Sequence, residues 1–158
     1  MSDQDLSPIA LEREFRALIK AINDDGLRYT LIGGLAVAIY GYVRYTKDID
    51  IVIDQADLPN FKKILQRLDY IIDNGRLPFP SSGFTFYRMG KFVDQTILSI
   101  DMLLEQADSP LLQKPLIVTN NEMEIVVANK QQLIAMKSKS TRDKDQIDIQ
   151  RLNEFEEE

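Results

Sequence analysis

The chain has 158 residues, 44% of them hydrophobic and 28% charged, and a formal net charge of −6, the profile of one folded domain of ordinary size. It contains no Cys and no His, which excludes disulfides, thiolate nucleophiles, histidine bases and the usual structural zinc sites. Catalysis, if present, must rest on carboxylates, Lys, Arg, Tyr or hydroxyls, and carboxylates as the only anionic ligands favour hard cations such as Mg²⁺ or Mn²⁺.

Ser7-Pro8 reads as a helix cap followed by proline at the first helical position. Leu11, Phe15, Leu18, Ile19 and Ile22 then recur at helical spacing until Gly26. "RYTLIG" is a short β-rich run ending at Gly33-Gly34, and "LAVAIYG" reads as a short helix launched from those glycines. "DIDIVID" alternates strictly and predicts a strand, and Leu58 to Leu68 predicts a helix with Phe61, Ile64, Leu65 and Leu68 on one face. "YIID", "FTFYRM" and "TILSIDMLL" read as strands separated by turns at "NGRLPFPSSG" and "GKF". "PLIVTNNEMEIVVA" predicts a hairpin around Asn120-Asn121, and "NKQQLIAMKSK" and "STRDKDQIDIQRLNEF" predict two helices. The expected architecture is α/β (α+β): a mixed sheet flanked by helices with a C-terminal helical segment, one domain over 1–158 with its core at about 8–155 and a frayed tail at 156–158.

The acids in "DIDIVID" pose the chemical question. In a strand, Ile49, Ile51 and Ile53 share one face and Asp48 and Asp50 the other, their Cβ atoms about 7 Å apart. Two like charges on a half-buried face repel, and desolvation disfavours both; a divalent cation removes both costs. In "LSIDMLL", Leu98, Ile100 and Met102 alternate with Ser99, Asp101 and Leu103. A neighbouring strand lies about 4.8 Å away, so Asp101 is a candidate third carboxylate beside Asp48 and Asp50 if the two strands pair. Three such acids suit two Mg²⁺ (or Mn²⁺) ions and leave positions for phosphate oxygens. Gly33-Gly34, lacking Cβ atoms at a strand-to-helix junction, lets a phosphate approach the backbone and the helix N–H groups. Each feature has a bland reading (a turn, a strand end, a stray polar residue), and their combination in this order is what points to a nucleoside triphosphate site.

"LIGGLAVAIYGYVRYTKDIDIVID", residues 31 to 54, resembles the signature of the polymerase-beta-type nucleotidyltransferase superfamily. Within it, this stretch and "LIAMKSKSTRDKDQIDIQRL" look most like the AbiEii/AbiGii toxin group and its small standalone relatives. The resemblance implies the nucleotidyltransferase fold and a metal-dependent transfer of an NMP from an NTP to an acceptor hydroxyl with release of pyrophosphate. It implies that Gly33 and Gly34 cradle the triphosphate, that Asp48, Asp50 and Asp101 are the catalytic metal ligands, and that Arg44, Thr46 and Lys137 contribute to nucleotide binding. The acceptor stays open among RNA, protein and small molecule, and a homodimer or a cognate antitoxin is a candidate partner. The alternative is a non-catalytic nucleotide- or partner-binding relative in a toxin–antitoxin or phage-defence pair. A nuclease is disfavoured by the Gly-Gly to Asp-x-Asp order.

No apolar run approaches the roughly 20 residues of a membrane span, and "MSDQDLSP" is not a signal peptide, so the expectation is a cytoplasmic protein with no membrane association. Lys130, Lys137, Lys139, Arg142 and Lys144 against Asp143 alone form a basic segment in an acidic chain, read as a solvated helix face. "RDKDQID" lacks the glycine and glutamate spacing of a calcium loop, and its acids fit helix capping and pairing. Phe84, Phe86 and Tyr87 read as strand core or strand face in preference to a base-stacking platform.

Overall fold

The computed structural model describes residues 6–41 and 46–137. Helix α1 (Pro8–Asp24) starts at Ser7, whose hydroxyl accepts the Ala10 N–H at 3.1 Å. Strand β1 (Tyr29–Ile32) is buried throughout and runs straight into helix α2 (Gly33–Ile39). Then come β2 (Asp48–Asp54), α3 (Leu58–Arg67), β3 (Ile72–Phe79), β4 (Phe84–Val93), β5 (Thr96–Glu105), β6 (Leu116–Asn120), β7 (Met123–Val127) and α4 (Lys130–Lys137). The second C-terminal helix expected from "STRDKDQIDIQRLNEF" lies outside the described residues.

The seven strands form one mixed sheet in the order β3-β4-β5-β2-β1-β7-β6. β2 runs parallel to β5 and β1 parallel to β7; the other neighbours are antiparallel. One face carries Ile49, Ile51 and Ile53, all 0% exposed, under α1 and α3. Helix α1 supplies Leu18, Ile19 and Ile22 to that layer and α3 supplies Phe61, Ile64 and Leu65, each fully buried aliphatic chain contributing about 1.5–3 kcal/mol. The other face carries the aspartates of β2 and receives α2.

Two stretches read as turns are strand. "NGRLPF" belongs to β3, where Gly75 at φ 72° forms a bulge closed by its N–H on the Asp73 carboxylate at 3.0 Å. An edge strand tolerates that bulge and Pro78, because one row of its backbone groups needs no partner strand. "GKF" lies inside β4, and the hairpin turns instead at Asp94-Gln95, at φ 48° and 68°. A two-residue turn with both φ angles positive matches the twist of the strands it joins. The Asn121-Glu122 turn between β6 and β7 has the same form, at φ 49° and 67°.

A buried polar cluster pins α1 to the sheet. Glu14 accepts from Lys91 Nζ at 2.7 Å and from the Tyr70 hydroxyl at 3.3 Å. Burial pushes the Tyr70 phenol above its ordinary value of 10.0, and the Glu14 carboxylate adds to the rise. Tyr70 therefore keeps its proton in the folded chain at a pH where the unfolded chain loses it, so stability falls as pH rises past 10.0. Tyr70→Phe is expected to cost about 1 kcal/mol near neutral pH, from the lost hydrogen bond. It should also flatten the decline of Tm above that pH, so that the two melting curves converge. Parallel alkaline declines in thermal melts of the two proteins would rule this out.

Candidate active site

The site is assembled by strand register. Ile32, the last residue of β1, is the partner of Asp50 on β2. The next residue, Gly33, therefore begins α2 directly over the Asp50 side chain. Gly33 has φ 73°, and a Cβ built there would lie 3.0 Å from both Cβ and Cγ of Asp50 and nearer still to Oδ2. Only glycine satisfies both the backbone angle and the close approach. Gly34 is buried in the first turn of α2.

On the other side of β2, Asp50 is the partner of Asp101 on β5, and Asp48 is the partner of Ser99. Partners on adjacent strands project to the same face, so Asp48, Asp50 and Asp101 share it. The pairing of β2 with β5 continues past the strand end, where the Ser99 N–H donates to the Lys47 carbonyl at 3.0 Å. Thr46 braces that end: its hydroxyl donates to the Asp48 carbonyl at 3.1 Å and accepts the Asp48 N–H at 3.2 Å. Thr46 thus holds the entry of β2 through the backbone. Arg44 lies outside the described residues; Lys137 is the last residue of α4, and its side chain lies outside them too.

One residue at the site was not foreseen. Arg88 on β4 is the partner of Asp101. Its Nε donates to Oδ1 at 2.7 Å and its Nη2 to Oδ2 at 2.9 Å, a two-pronged ion pair. The hydrogen bonds to Asp101 hold the guanidinium above its already high value, against the opposing effect of burial, and the charges of Asp101, Asp48 and Asp50 add to the rise. All three carboxylates therefore act on one cationic group. Among the described residues no three acidic side chains stand ready to hold a metal ion. Both Asp101 oxygens are engaged by Arg88.

No family model matches the chain, and no curated protein matches it in sequence. Solved structures do match in shape. TM1012 from Thermotoga maritima, a candidate nucleotidyltransferase, aligns with TM-score 0.69 at 15% identity, over 96% of this chain and 98% of its own. The lincosamide antibiotic adenylyltransferase LnuA, solved with lincomycin, aligns with TM-score 0.64 at 15% identity, over 95% and 98%. ANT(2'')-Ia, solved with adenylyl-2''-tobramycin, aligns with TM-score 0.56 at 10% identity, over 87% and 84%. The chain has the nucleotidyltransferase fold. Within that fold, the acid pair of β2, the acid of β5 and the glycine opening of α2 meet on one face of the sheet. At these identities the likeness concerns architecture; the residues of the site stand on the geometry above. No helix among the described residues is long and apolar enough to cross a membrane.

Proposed function

We propose that this chain is a metal-dependent nucleotidyltransferase that moves an NMP from an NTP to an acceptor hydroxyl. The observation that carries the reading is the meeting of Gly33, Asp50 and Asp101, brought together by the Ile32–Asp50 and Asp50–Asp101 pairings. The acceptor oxygen attacks the α-phosphorus, a new P–O bond forms, the bond to the bridging oxygen breaks, and pyrophosphate leaves. Carboxylates suit a hard divalent ion; Asp48 and Asp50 would hold it, with Asp101 as the third ligand once freed from Arg88. When bound, Mg²⁺ or Mn²⁺ neutralises charge developing on the phosphate oxygens. Asp101 lies next to the pair and takes the acceptor proton once its own oxygens are released from Arg88. Gly33 and Gly34 leave the backbone accessible to the triphosphate, and Arg44 and Lys137 supply cationic side chains to it. Thr46 contributes by fixing the start of β2. The setting is the cytoplasm.

For the acceptor, two neighbours in shape were solved with lincomycin and with an adenylylated tobramycin, which favours a small hydroxyl-bearing molecule. The test is incubation with Mg²⁺ and each NTP labelled at the α-phosphate, against total RNA, cell protein and small-metabolite fractions. Label is expected in the metabolite fraction. Label in RNA or protein would keep the transferase and reassign the acceptor; no label anywhere would defeat the reading.

The engagement of Asp101 by Arg88 favours one second reading: an AbiEii-like, non-catalytic relative that binds nucleotide or a cognate antitoxin. That protein would melt at a higher temperature with NTP and transfer no label.

A further inference from the structure

We propose that Arg88 is the resting counter-cation of Asp101 within the three-aspartate site, holding that carboxylate and competing with a divalent ion for it. The inference rests on the reading of Asp48, Asp50 and Asp101 as metal ligands and adds a control on their loading.

The placement is built into the hairpin. The Asp94-Gln95 turn pairs Val93 with Thr96, and counting back along both strands sets Arg88 opposite Asp101. The side chain of Asp101 is 10% exposed, so its charge is desolvated and needs a counter-charge. The guanidinium provides it through two hydrogen bonds at 2.7 and 2.9 Å. Asp48 and Asp50 on β2, beyond β5, add their charge at longer range.

The same placement leaves Arg88 a way out. Its side chain is 36% exposed, and its partner on the outer strand β3 is Gly75. Gly75 has no side chain, and a Cβ there would meet nothing within 4 Å, so the outer strand sets no side chain against Arg88 at that position. Arginine also suits this post because it holds a carboxylate through two parallel bonds and stays charged at any working pH. An incoming divalent ion must share the Asp101 carboxylate with the guanidinium or displace it, so the ion pair lowers metal affinity there. Arg88 is a positioning residue: it acts on the chemistry through Asp101.

The test is direct Mn²⁺ binding by the full chain without nucleotide, with free Mn²⁺ read by electron paramagnetic resonance. Arg88→Gln is expected to lower the Mn²⁺ Kd by about tenfold or more, the equivalent of one charge-assisted hydrogen bond pair. Arg88→Lys, which keeps the charge and loses the fork, should fall between. In the Arg88→Gln, Asp101→Asn double variant the gain should vanish, because Asp101 is where the competition takes place.

Equal or weaker Mn²⁺ binding by folded Arg88→Gln overturns the inference. If Arg88→Gln does not fold, Arg88→Lys decides it by the same criterion. The two readings fail differently. If wild type binds Mn²⁺, Asp50→Asn abolishes that binding and the Arg88 variants match wild type, only the counter-cation role falls. If neither wild type nor the Arg88 variants bind Mn²⁺, the metal-dependent transferase falls with it.

Discussion

Asp50→Asn is expected to remove on the order of a thousandfold of the transfer rate while leaving the fold in place. Asp50 is the meeting point of the site. It pairs with Ile32 on one side and Asp101 on the other, and Gly33 rests against its carboxyl group. Asparagine has the same shape, so its contact with Gly33 survives, while the negative charge that attracts a divalent ion is lost. Thermal unfolding should shift by no more than a few degrees, which separates lost chemistry from lost structure. Asp101→Asn offers the contrast. It breaks the charge pairing with Arg88 and leaves a half-buried guanidinium poorly matched, so it should lower both transfer and Tm. Release of label from α-labelled NTP, measured beside thermal melts, checks both. An Asp50→Asn protein within tenfold of the wild-type rate would show that the chemistry lies elsewhere.

Gly33→Ala carries the second large effect. The backbone at φ 73° costs a residue with a side chain about 1–2 kcal/mol. The added methyl would also meet Asp50, whose Cβ and Cγ are 3.0 Å from its position. The clash involves the very carboxylate that must stay in place, so either α2 shifts or Asp50 rotates. The combined loss of stability is expected at about 2–3 kcal/mol, or roughly 5–10 °C in Tm. A displacement of about 1 Å at a reacting centre is worth about a hundredfold in rate, and transfer should fall by that order. Gly26→Ala separates the two causes. Gly26 has φ 68°, and a Cβ there meets nothing within 4 Å. It carries the backbone strain without the clash, so it should lose about 1 kcal/mol and keep its activity. Equal activity loss in the two variants would remove Gly33 from the site.

The parts of the site were legible in the chain, and their arrangement was partly so. Alternation in "DIDIVID" placed Asp48 and Asp50 on one face, and the structure has them there. Alternation in "LSIDMLL" put Asp101 on a face with Ser99, and β5 does lie beside β2. The glycines were expected to precede a helix; they form its first turn. Arg88 was hidden by the misplaced turn. With the hairpin turning at "GKF", Arg88 would not stand opposite Asp101; with the turn at Asp94-Gln95 it must. In "FTFYRM" Arg88 falls in phase with Phe84 and Phe86, so nothing local marks it as a site residue until the register is known.

Local periodicity and end signals were enough to specify most of the elements, because these depend on neighbours within a few residues: the Ser7 cap of α1, the Asp-Ile alternation that opens β2, the glycines at the head of α2; they failed at "NGRLPF" and "GKF", which long-range pairing makes strand. Strand order and register were decided only in the folded molecule. β1 sits between β2 and β7, and β2 between β1 and β5, partners far apart in the chain. Those pairings are selected by burying Ile49, Ile51, Ile53, Leu98, Ile100 and Met102 in one layer, a condition that no local window contains. The same long-range burial set Asp50 against Asp101 and, through a two-residue turn, brought Arg88 to meet them.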